Sequence, residues 1–159
     1  MEPEDLDLLY MIENDRQLWN VGNTNVPYSR YVLHDYIASS SSDIYTDRQV
    51  RLVVENGVGE TVGLADLVNF DARNLRAEVS IVIIDRYRHC GYGQETLRQL
   101  TDYASQILHL HQLYALVDAA NTDARHLFLK CGYQESVCLS DWLYDGRNYN
   151  DALVLQKIL

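Results

Sequence analysis

The sequence predicts one α/β domain over residues 1–159, built on a mixed, mainly antiparallel sheet with flanking helices. Three observations predict this fold class. Alternating segments at 50–55 and 61–70 flank the glycine-rich turn 56–59, which is typical of an antiparallel hairpin. A strand–helix–strand unit follows in the middle of the chain. Two closing strands meet near residues 145–146, so only the middle unit requires parallel neighbours.

The N-terminal part is predicted to be helical. Leu6, Leu9 and Tyr10 share one face of a first helix, and Asp5 is positioned to cap or charge its start. A second helix is expected to begin after Pro27. The serine run 39–42 between this helix and the first strand indicates a loop.

The middle of the chain alternates strands and helices. Residues 78–84 are rich in β-branched side chains and predict a strand, and residues 94–109 carry an apolar helical stripe that includes Ile107 and Leu108. A short strand is expected at 113–117. A helix at 121–131 should end at Gly132, which suits a left-handed C-terminal cap.

Composition limits the partners. A formal net charge of -10 disfavours nucleic acid and anionic membranes, and no segment is apolar enough to cross a bilayer. The acidic start 1–5 resembles neither a signal peptide nor a transit peptide. Cysteines at 90, 131 and 138 lack metal or redox spacing, and the histidines form no ligand cluster. We therefore expect reduced thiols, a cytoplasmic protein, and no bound metal.

The segment that joins the 78–84 strand to the long helix is the most informative one. It reads Arg88-His-Cys-Gly91-Tyr-Gly93. The first N–H groups of a helix lack partners and attract anions, and glycines let the main chain approach a bulky anion closely. Arg86, Arg88 and His89 add positive charge to an acidic protein. This loop is therefore predicted to bind a pyrophosphate.

Other loop types fit this segment less well. A Walker loop requires glycine followed by lysine and serine or threonine, and the sequence has none. A dinucleotide fingerprint requires a third glycine where Thr96 stands. An ordinary strand-to-helix turn would also use glycines. Because strand, arginine, glycines and helix occur in the right order, an anion site is the preferred interpretation.

The pattern Arg88-x-x-Gly91-x-Gly93 resembles the acetyl-CoA pyrophosphate loop of the GNAT acetyltransferase superfamily. The segment 121–133 resembles a second motif of that family, and the likeness covers nearly the whole chain. Within the family the chain is most similar to spermidine N-acetyltransferases and ribosomal-protein-alanine acetyltransferases, through Arg76-Ala-Glu78 and the segment 146–151. The resemblance implies a GNAT-like sheet with a splayed central strand pair.

The resemblance also implies acetyl-CoA as cosubstrate, which donates its acetyl group to a primary amine by direct attack in a ternary complex. The acceptor would be a polyamine-like small amine or a protein N-terminus. We expect a homo-oligomer formed through the closing hairpin. The residues implied to contact the cofactor are Ile81, Val82, Ile83, Arg88, His89, Cys90, Gly91, Tyr92, Gly93, Gln94, Asn121, Phe128 and Lys130.

Glu78 is the candidate catalytic residue. An ammonium has no lone pair, so a base must remove a proton before the amine can attack. Glu78 lies in an apolar strand that would shield it partly from water, which suits such a base. The alternative is that Glu78 points into water or pairs with Arg76.

Phe128 departs from the family pattern. Many members carry tyrosine there as the general acid for the departing thiolate, and phenylalanine cannot donate a proton. Water or a side chain such as Tyr92, Cys131 or Tyr144 would then supply it, or Phe128 is simply a core residue. The same departure leaves open a non-catalytic CoA-binding regulatory module. A nucleotide-binding domain of another kind is a third alternative.

Two further features bear on the acceptor and the N-terminus. Polyamine acetylases of this branch place acidic side chains between the first two helices, whereas residues 23–28 here have none, which weakens the polyamine assignment. The family usually begins with a strand before an acidic segment like 2–5. We therefore expect that strand to be shortened or absent, or the chain to be truncated.

Overall fold

A computed structural model describes residues 1–15, 26–41 and 43–159. The helices are α1 (Leu6–Glu13), α2 (Arg30–Ser39), α3 (Ile44–Asp47), α4 (Tyr92–Gln106) and α5 (Thr122–Lys130). The strands are β1 (Val50–Glu55), β2 (Thr61–Asp71), β3 (Arg76–Ile83), β4 (Gln112–Asp118), β5 (Gln134–Tyr144) and β6 (Tyr149–Ile158). Two short 3₁₀ turns lie at Pro3–Asp5 and Asp85–Tyr87.

The strands form a six-stranded sheet in the order β1-β2-β3-β4-β6-β5. All neighbours are antiparallel except β3 and β4, which are joined through α4 and run parallel. This topology confirms the mixed, mainly antiparallel sheet predicted from the sequence. No strand precedes β1 within the described ranges.

The two central strands diverge. Residues Arg76–Glu78 of β3 pair with Gln112–Tyr114 of β4, and among the described residues no pairing continues beyond them. β3 keeps its pairing with β2 as far as Ile83, while β4 keeps its pairing with β6 as far as Asp118. A wedge therefore opens between β3 and β4, and one edge of each strand is left free of ladder partners.

The sheet separates two apolar clusters. On one face α1 and α2 pack through Leu9, Ile12 and Leu33 against Leu64. On the other face α4 and α5 pack through a larger cluster that includes Leu97. Strand alternation explains the division, because successive side chains of β2 and β3 point to opposite faces.

Several predicted boundaries were wrong in detail. α4 starts at Tyr92 and ends at Gln106, short of residue 109, and Ile107 is 65% exposed instead of lying on the apolar stripe. A chain reversal at His109, with φ of 53°, ends the helical segment. The Asp5 side chain makes no cap bond to α1, since it accepts from the Glu2 N–H at 2.7 Å.

The serine-rich connection also differs from the prediction. Ser39 still belongs to α2, and the short helix α3 follows soon afterwards, capped by the Asp43 side chain on the Tyr45 N–H. Asx caps of this kind are local and require few residues. Ser42 lies outside the described residues. Among the helices that the structure describes, none is long and apolar enough to span a membrane.

Candidate active site

A cleft of about 440 Å³ lies at the wedge between β3 and β4. Its walls come from both faces of the sheet. Ile12, Tyr28 and Tyr36 contribute from the α1 and α2 side, and Ala124 and Phe128 contribute from α5. The cleft therefore links the two apolar layers through the gap in the sheet, a geometry that lets two ligands meet from opposite sides.

Glu78 lies at the apex of the wedge, as the last β3 residue paired with β4. Its side chain lines the cleft although the residue is only 9% exposed. The Asn69 Nδ2 group donates to Glu78 Oε2 at 2.8 Å. Arg76 pairs instead with Asp71, at 3.3 Å. The alternative in which Glu78 points into water or pairs with Arg76 is therefore wrong.

Tyr114, the β4 residue opposite Glu78, is the second group that faces this carboxylate. Burial and the neighbouring Glu78 charge raise the pKa of Tyr114. The tyrosine hydroxyl therefore stays protonated at neutral pH and is able to donate. Asn69 on β2 therefore donates to the carboxylate, and Tyr114 lies opposite it on β4.

The predicted anion loop lies at the end of β3, beyond the lining of the cleft. Gly91 occupies the N-cap position of α4 with φ of 87°, and His89 has φ of 58°. The Arg88 guanidinium donates through Nε to the Ile83 carbonyl at 3.1 Å and pairs with Asp85 at 2.9 Å. This folds the loop back onto the strand end, with the first N–H groups of the 15-residue helix α4 at its mouth.

Glu95 is the acidic residue in the first turn of α4. Hydrogen bonds from Arg98 and Gln99 lower the pKa of Glu95 to about 2. The Arg98 guanidinium lies 2.6 Å from the Glu95 carboxylate and offsets its charge. The positive end of the helix dipole therefore remains suitable for an anion.

The two glycines of this loop serve different purposes. No atom lies within 4 Å of the position that a Cβ on Gly91 would take, so this residue is required only for its left-handed backbone. At Gly93 an added Cβ would lie 3.1 Å from Leu127 Cδ2. Gly93 thus permits the close approach of α4 to α5, which sets the position of the α5 wall of the cleft.

The residues predicted to bind cofactor fall into two groups. The main chain around Ile81 and Val82 lines the cleft along the unpaired edge of β3, as do Asn121 and Phe128. The residues not among the described lining are Ile83, Arg88, His89, Cys90, Gly91, Tyr92, Gly93, Gln94 and Lys130. Residues 83 and 88–94 continue from the end of β3, whereas Lys130 is exposed in the last turn of α5.

Two α5 side chains shape the cofactor side. Asn121 caps the helix, because its Oδ1 accepts from the Ala124 N–H at 3.0 Å, and its Nδ2 hydrogens remain as donors toward a ligand. Phe128 is 5% exposed and packs edge-on against Tyr133, with 4.9 Å between ring centroids. Phe128 is therefore both a core residue and a wall of the cleft.

The side chains considered as substitutes for a tyrosine acid lie elsewhere. Tyr92, Cys131 and Tyr144 are not among the described residues that line the cleft. Tyr92 packs edge-on against Tyr87, and Tyr144 contacts Tyr149 near the end of the closing hairpin. None of these three side chains is therefore placed in the cleft as a substitute for the tyrosine acid.

A partly buried ion network on the α1 and α2 side of the cleft was missed by sequence reasoning. Arg51 on β1 donates from Nε and Nη2 to the two oxygens of Asp66, at 2.8 and 3.1 Å, and from Nη1 to Glu13 at 2.6 Å. Its guanidinium also lies 5.7 Å from the Tyr36 ring centroid. The only sequence signal was a lone aspartate inside the apolar run of β2.

Burial and pairing act against each other in this network. Burial alone would lower the pKa of Arg51, but Asp66 and Glu13 outweigh that effect and raise it, so the guanidinium stays charged. Burial raises the pKa of Asp66 even though Arg51 opposes the rise. Two carboxylates, Asp66 and Glu13, thus pair with one guanidinium, and Glu78 lines the same cleft.

Two further expectations concern metal and the 23–28 segment. No group of three potential metal ligands occurs among residues 1–15, 26–41 and 43–159. Residues 23–25 lie outside the described part of the chain. Tyr28 is described, and its backbone is held by the Asn14 side chain, which accepts from the Tyr28 N–H at 2.9 Å.

Comparison with known proteins gives consistent results. The profile of the acetyltransferase (GNAT) domain matches residues 1–134. A spermidine N(1)-acetyltransferase of Vibrio cholerae is 25% identical over 152 residues, covering 96% of this chain and 86% of that protein. A spermidine N(1)-acetyltransferase of Escherichia coli K12 is 28% identical over 158 residues, covering 96% of this chain and 80% of that protein.

Solved structures show the same fold. The crystal structure of spermidine N-acetyltransferase from Vibrio cholerae in complex with CoA and spermine superposes with a TM-score of 0.89 at 25% identity, covering 99% of this chain and 92% of that chain. A point mutant of the same Vibrio cholerae enzyme gives a TM-score of 0.85, also at 25% identity, with coverage of 99% and 92%. The likeness therefore extends over the sheet and both helical layers.

Proposed function

We propose a function from one premise: this chain belongs to the acetyltransferase (GNAT) family, whose profile it matches over residues 1–134. It transfers the acetyl group of acetyl-CoA to a primary amine of a polyamine-like acceptor. The observation that carries this function is the wedge between β3 and β4, which has Glu78 at its apex and opens to both faces of the sheet. A relative of known structure binds CoA and spermine.

The α4 and α5 side suits coenzyme A. The unpaired edge of β3 at Ile81 and Val82 offers main-chain groups to an amide-bearing arm such as pantetheine. The N-terminus of α4, with Gly91 and Arg88, offers N–H groups and charge to the diphosphate. Main-chain N–H groups at the wedge would also stabilise the negative charge that develops on the thioester oxygen.

Glu78 supplies the base. The acceptor arrives as an ammonium, and Glu78 accepts its proton directly or through one water. The free amine then attacks the thioester carbonyl, a C–N bond forms, and the C–S bond breaks. The position of Glu78 between the two sides of the sheet supports this role, because a base there is within reach of an amine that faces the cofactor.

Leaving-group protonation is the weaker part of this site. Phe128 lines the cleft where a tyrosine acid would stand, and its ring cannot donate a proton. The proton that the attacking nitrogen loses as the amide forms therefore reaches the departing thiolate through water. Since a thiolate is a tolerable leaving group, this slows the reaction without stopping it.

The acceptor side favours a cation. Glu13, Asp66 and Glu78 outnumber the single guanidinium of Arg51 around this part of the cleft. The rings of Tyr28 and Tyr36 provide apolar and cation-binding surface for methylenes and a second ammonium. Together with the spermidine acetyltransferase relatives, this supports a polyamine over a protein N-terminus.

Two features of the wider protein belong to the same proposal. Within the described sheet β5 is an edge strand that pairs only with β6, and its Val137 and Trp142 are 52% and 57% exposed, which supports self-association through the closing hairpin. Light scattering at several concentrations measures this. The free thiols of Cys90, Cys131 and Cys138 fit the reducing cytoplasm that we expect for an acetyl-CoA-dependent enzyme.

Release of free CoA thiol tests the function directly. The purified protein is mixed with acetyl-CoA and, in separate reactions, with spermidine, spermine, a monoamine of similar length and a peptide with a free N-terminus. We expect thiol release with the polyamines above the rate without amine. Activity on the peptide alone would reassign the acceptor. CoA binding without thiol release on any amine would instead support a regulatory module.

A further inference from the structure

Asn69 occupies a β-bulge beside Glu78. The β2–β3 register passes from Val68 opposite Glu78 to Asp71 opposite Arg76, so two residues of β2 face a single residue of β3. Asn69 has φ of 51°, the left-handed region that asparagine tolerates better than most residues. The bulge is thus built around the conformation of this one residue.

The bulge changes the direction of the Asn69 side chain. In an unbroken strand its side chain would point to the face opposite that of Val68. Here the Asn69 amide reaches the carboxylate of Glu78 on the neighbouring strand β3, and Nδ2 lies 2.8 Å from Oε2. The next residue, Phe70, returns to the buried core and packs edge-on against Tyr45. The bulge therefore places the Asn69 amide beside the Glu78 carboxylate.

We propose that Asn69 is a positioning residue for acetyl transfer, whose amide fixes the orientation of the Glu78 carboxylate. The inference rests on the proposed function, in which Glu78 accepts the proton of the acceptor. A donor to a carboxylate stabilises its ionised form and removes one of its rotational freedoms. A base held in this way accepts a proton along a fixed direction, toward the cleft.

The other groups around this carboxylate do not replace the amide. The charged groups that act on Tyr114 are Glu78, Arg76 and Asp71, while Arg51 and Asp66 line the same cleft as Glu78. Arg76 is bound to Asp71 and Arg51 is bound to Asp66, so neither guanidinium pairs with Glu78. Asn69 donates to this carboxylate from β2, while Tyr114 lies opposite Glu78 on β4.

The informative variant is Asn69→Gly, because glycine keeps the left-handed backbone and deletes only the amide. We expect kcat to fall about tenfold, the lower range for losing a hydrogen bond to a charged group, with the KM for acetyl-CoA unchanged. The acid limb of the kcat/KM profile for the amine should move to higher pH, because the ionised carboxylate has lost a donor.

Asn74→Gly is the matched control. Asn74 also donates its Nδ2 to a carboxylate, that of Asp71 at 2.7 Å, in the same hairpin but on the exposed side. This variant should keep the kcat and pH profile of the wild type. In a Glu78→Gln background, Asn69→Gly should lower kcat no further, since the residue acts through Glu78.

An NMR titration of the Glu78 carboxyl carbon, on ¹³C-labelled protein, separates this inference from the proposed function. In Asn69→Gly its titration should move to higher pH whether or not the enzyme turns over. Equal behaviour of Asn69→Gly and Asn74→Gly in rate and titration would overturn the positioning role. Wild-type protein that acetylates no amine, with the titration shift intact, would overturn the function and leave the contact established.

Discussion

The two faces of the sheet contribute different chemical groups to the cleft. The α4 and α5 side offers main chain: the free edge of β3 and the glycine-capped start of α4 at Gly91. The α1 and α2 side offers side chains: Arg51 buried between Asp66 and Glu13, with Glu78 nearby. The first side offers mainly main-chain groups, and the other side offers a network of charged side chains.

Substitutions on the two sides should therefore have different effects. Main-chain groups are held in place by the strand and helix that contain them, so a substitution there acts through backbone conformation. Charges in a partly buried network depend on their partners, so removing Arg51 takes the guanidinium away from Asp66 and Glu13. We therefore expect substitutions on the α1 and α2 side to affect the free energy of unfolding and the use of the acceptor. Substitutions on the α4 and α5 side should affect the binding of coenzyme A.

The largest effect is expected for Arg51→Met. It leaves Asp66 and Glu13 without their shared cation, and breaking a buried pair costs about 3–5 kcal/mol of unfolding free energy. Urea denaturation measures it. Burial raises the pKa of Asp66. The loss should therefore shrink as the pH falls through that pKa, because a protonated Asp66 no longer needs the cation.

Arg98→Met is the control for this change. Arg98 also pairs with two carboxylates, Glu95 and Asp102, but its side chain is 60% exposed. An exposed network contributes little to stability, so the loss should be much smaller than for Arg51→Met. Equal losses for Arg51→Met and Arg98→Met would contradict the contrast between the two faces.

Glu78→Gln should lower kcat by about 100-fold, the lower range for removing a general base. Glutamine is nearly isosteric and can still accept from Asn69, so the melting temperature and CoA affinity should change little. The pH–rate profile should lose its acid limb. Glu55→Gln, on the exposed end of β1, is the matched control and should behave as wild type. A rate unaffected by Glu78→Gln would remove this residue from the chemistry.

Gly91→Ala tests the main-chain side and should weaken CoA binding about tenfold, because any other residue is strained at φ of 87° and shifts the loop. Gly59→Ala is the control, since Gly59 has φ of 81° and equally open surroundings in the β1–β2 turn. Both variants should lose similar stability. If calorimetry finds the same CoA affinity in both, the loop does not bind the cofactor.

The smallest effect is expected for Phe128→Tyr, a rise of a few-fold in kcat. The added hydroxyl would give the thiolate a proton donor within the cleft, and general acids of this kind contribute at most about 10²–10⁴-fold when protonation limits the rate. Phe70→Tyr is the control, because Phe70 is equally buried but does not line the cleft. No gain in Phe128→Tyr would mean that another step limits turnover.

The same contrast explains what could be predicted from sequence. The anion loop depends on glycines and helix position within one continuous segment, so its residues could be named from the sequence alone. The free edge of β3 begins where its parallel pairing with β4 ends. The divergence of these two strands was predicted from the family resemblance. Strand and helix periodicity predicted most elements, while α4 was placed too far toward His109 because Ile107 fits the stripe by spacing alone.

The acceptor side could not be predicted in this way. Arg51 and Asp66 are 15 positions apart in the chain and meet only through the β1–β2 register. Glu13 lies in helix α1, 38 positions from Arg51. Asn69 was missed for a related reason, because alternation assigns it to the wrong face and only the bulge corrects that. Side-chain networks between distant segments depend on register, which a single sequence does not specify.

A calorimetric titration of coenzyme A into the wild-type protein tests the division of the cleft most directly. The diphosphate and pantetheine arm need only the free β3 edge and the α4 N-terminus, so CoA should bind at one site per chain without any acceptor present, and Gly91→Ala should weaken it. An absence of heat at millimolar coenzyme A would contradict the assignment of the α4 and α5 side to the cofactor, and with it the proposed acetyl transfer.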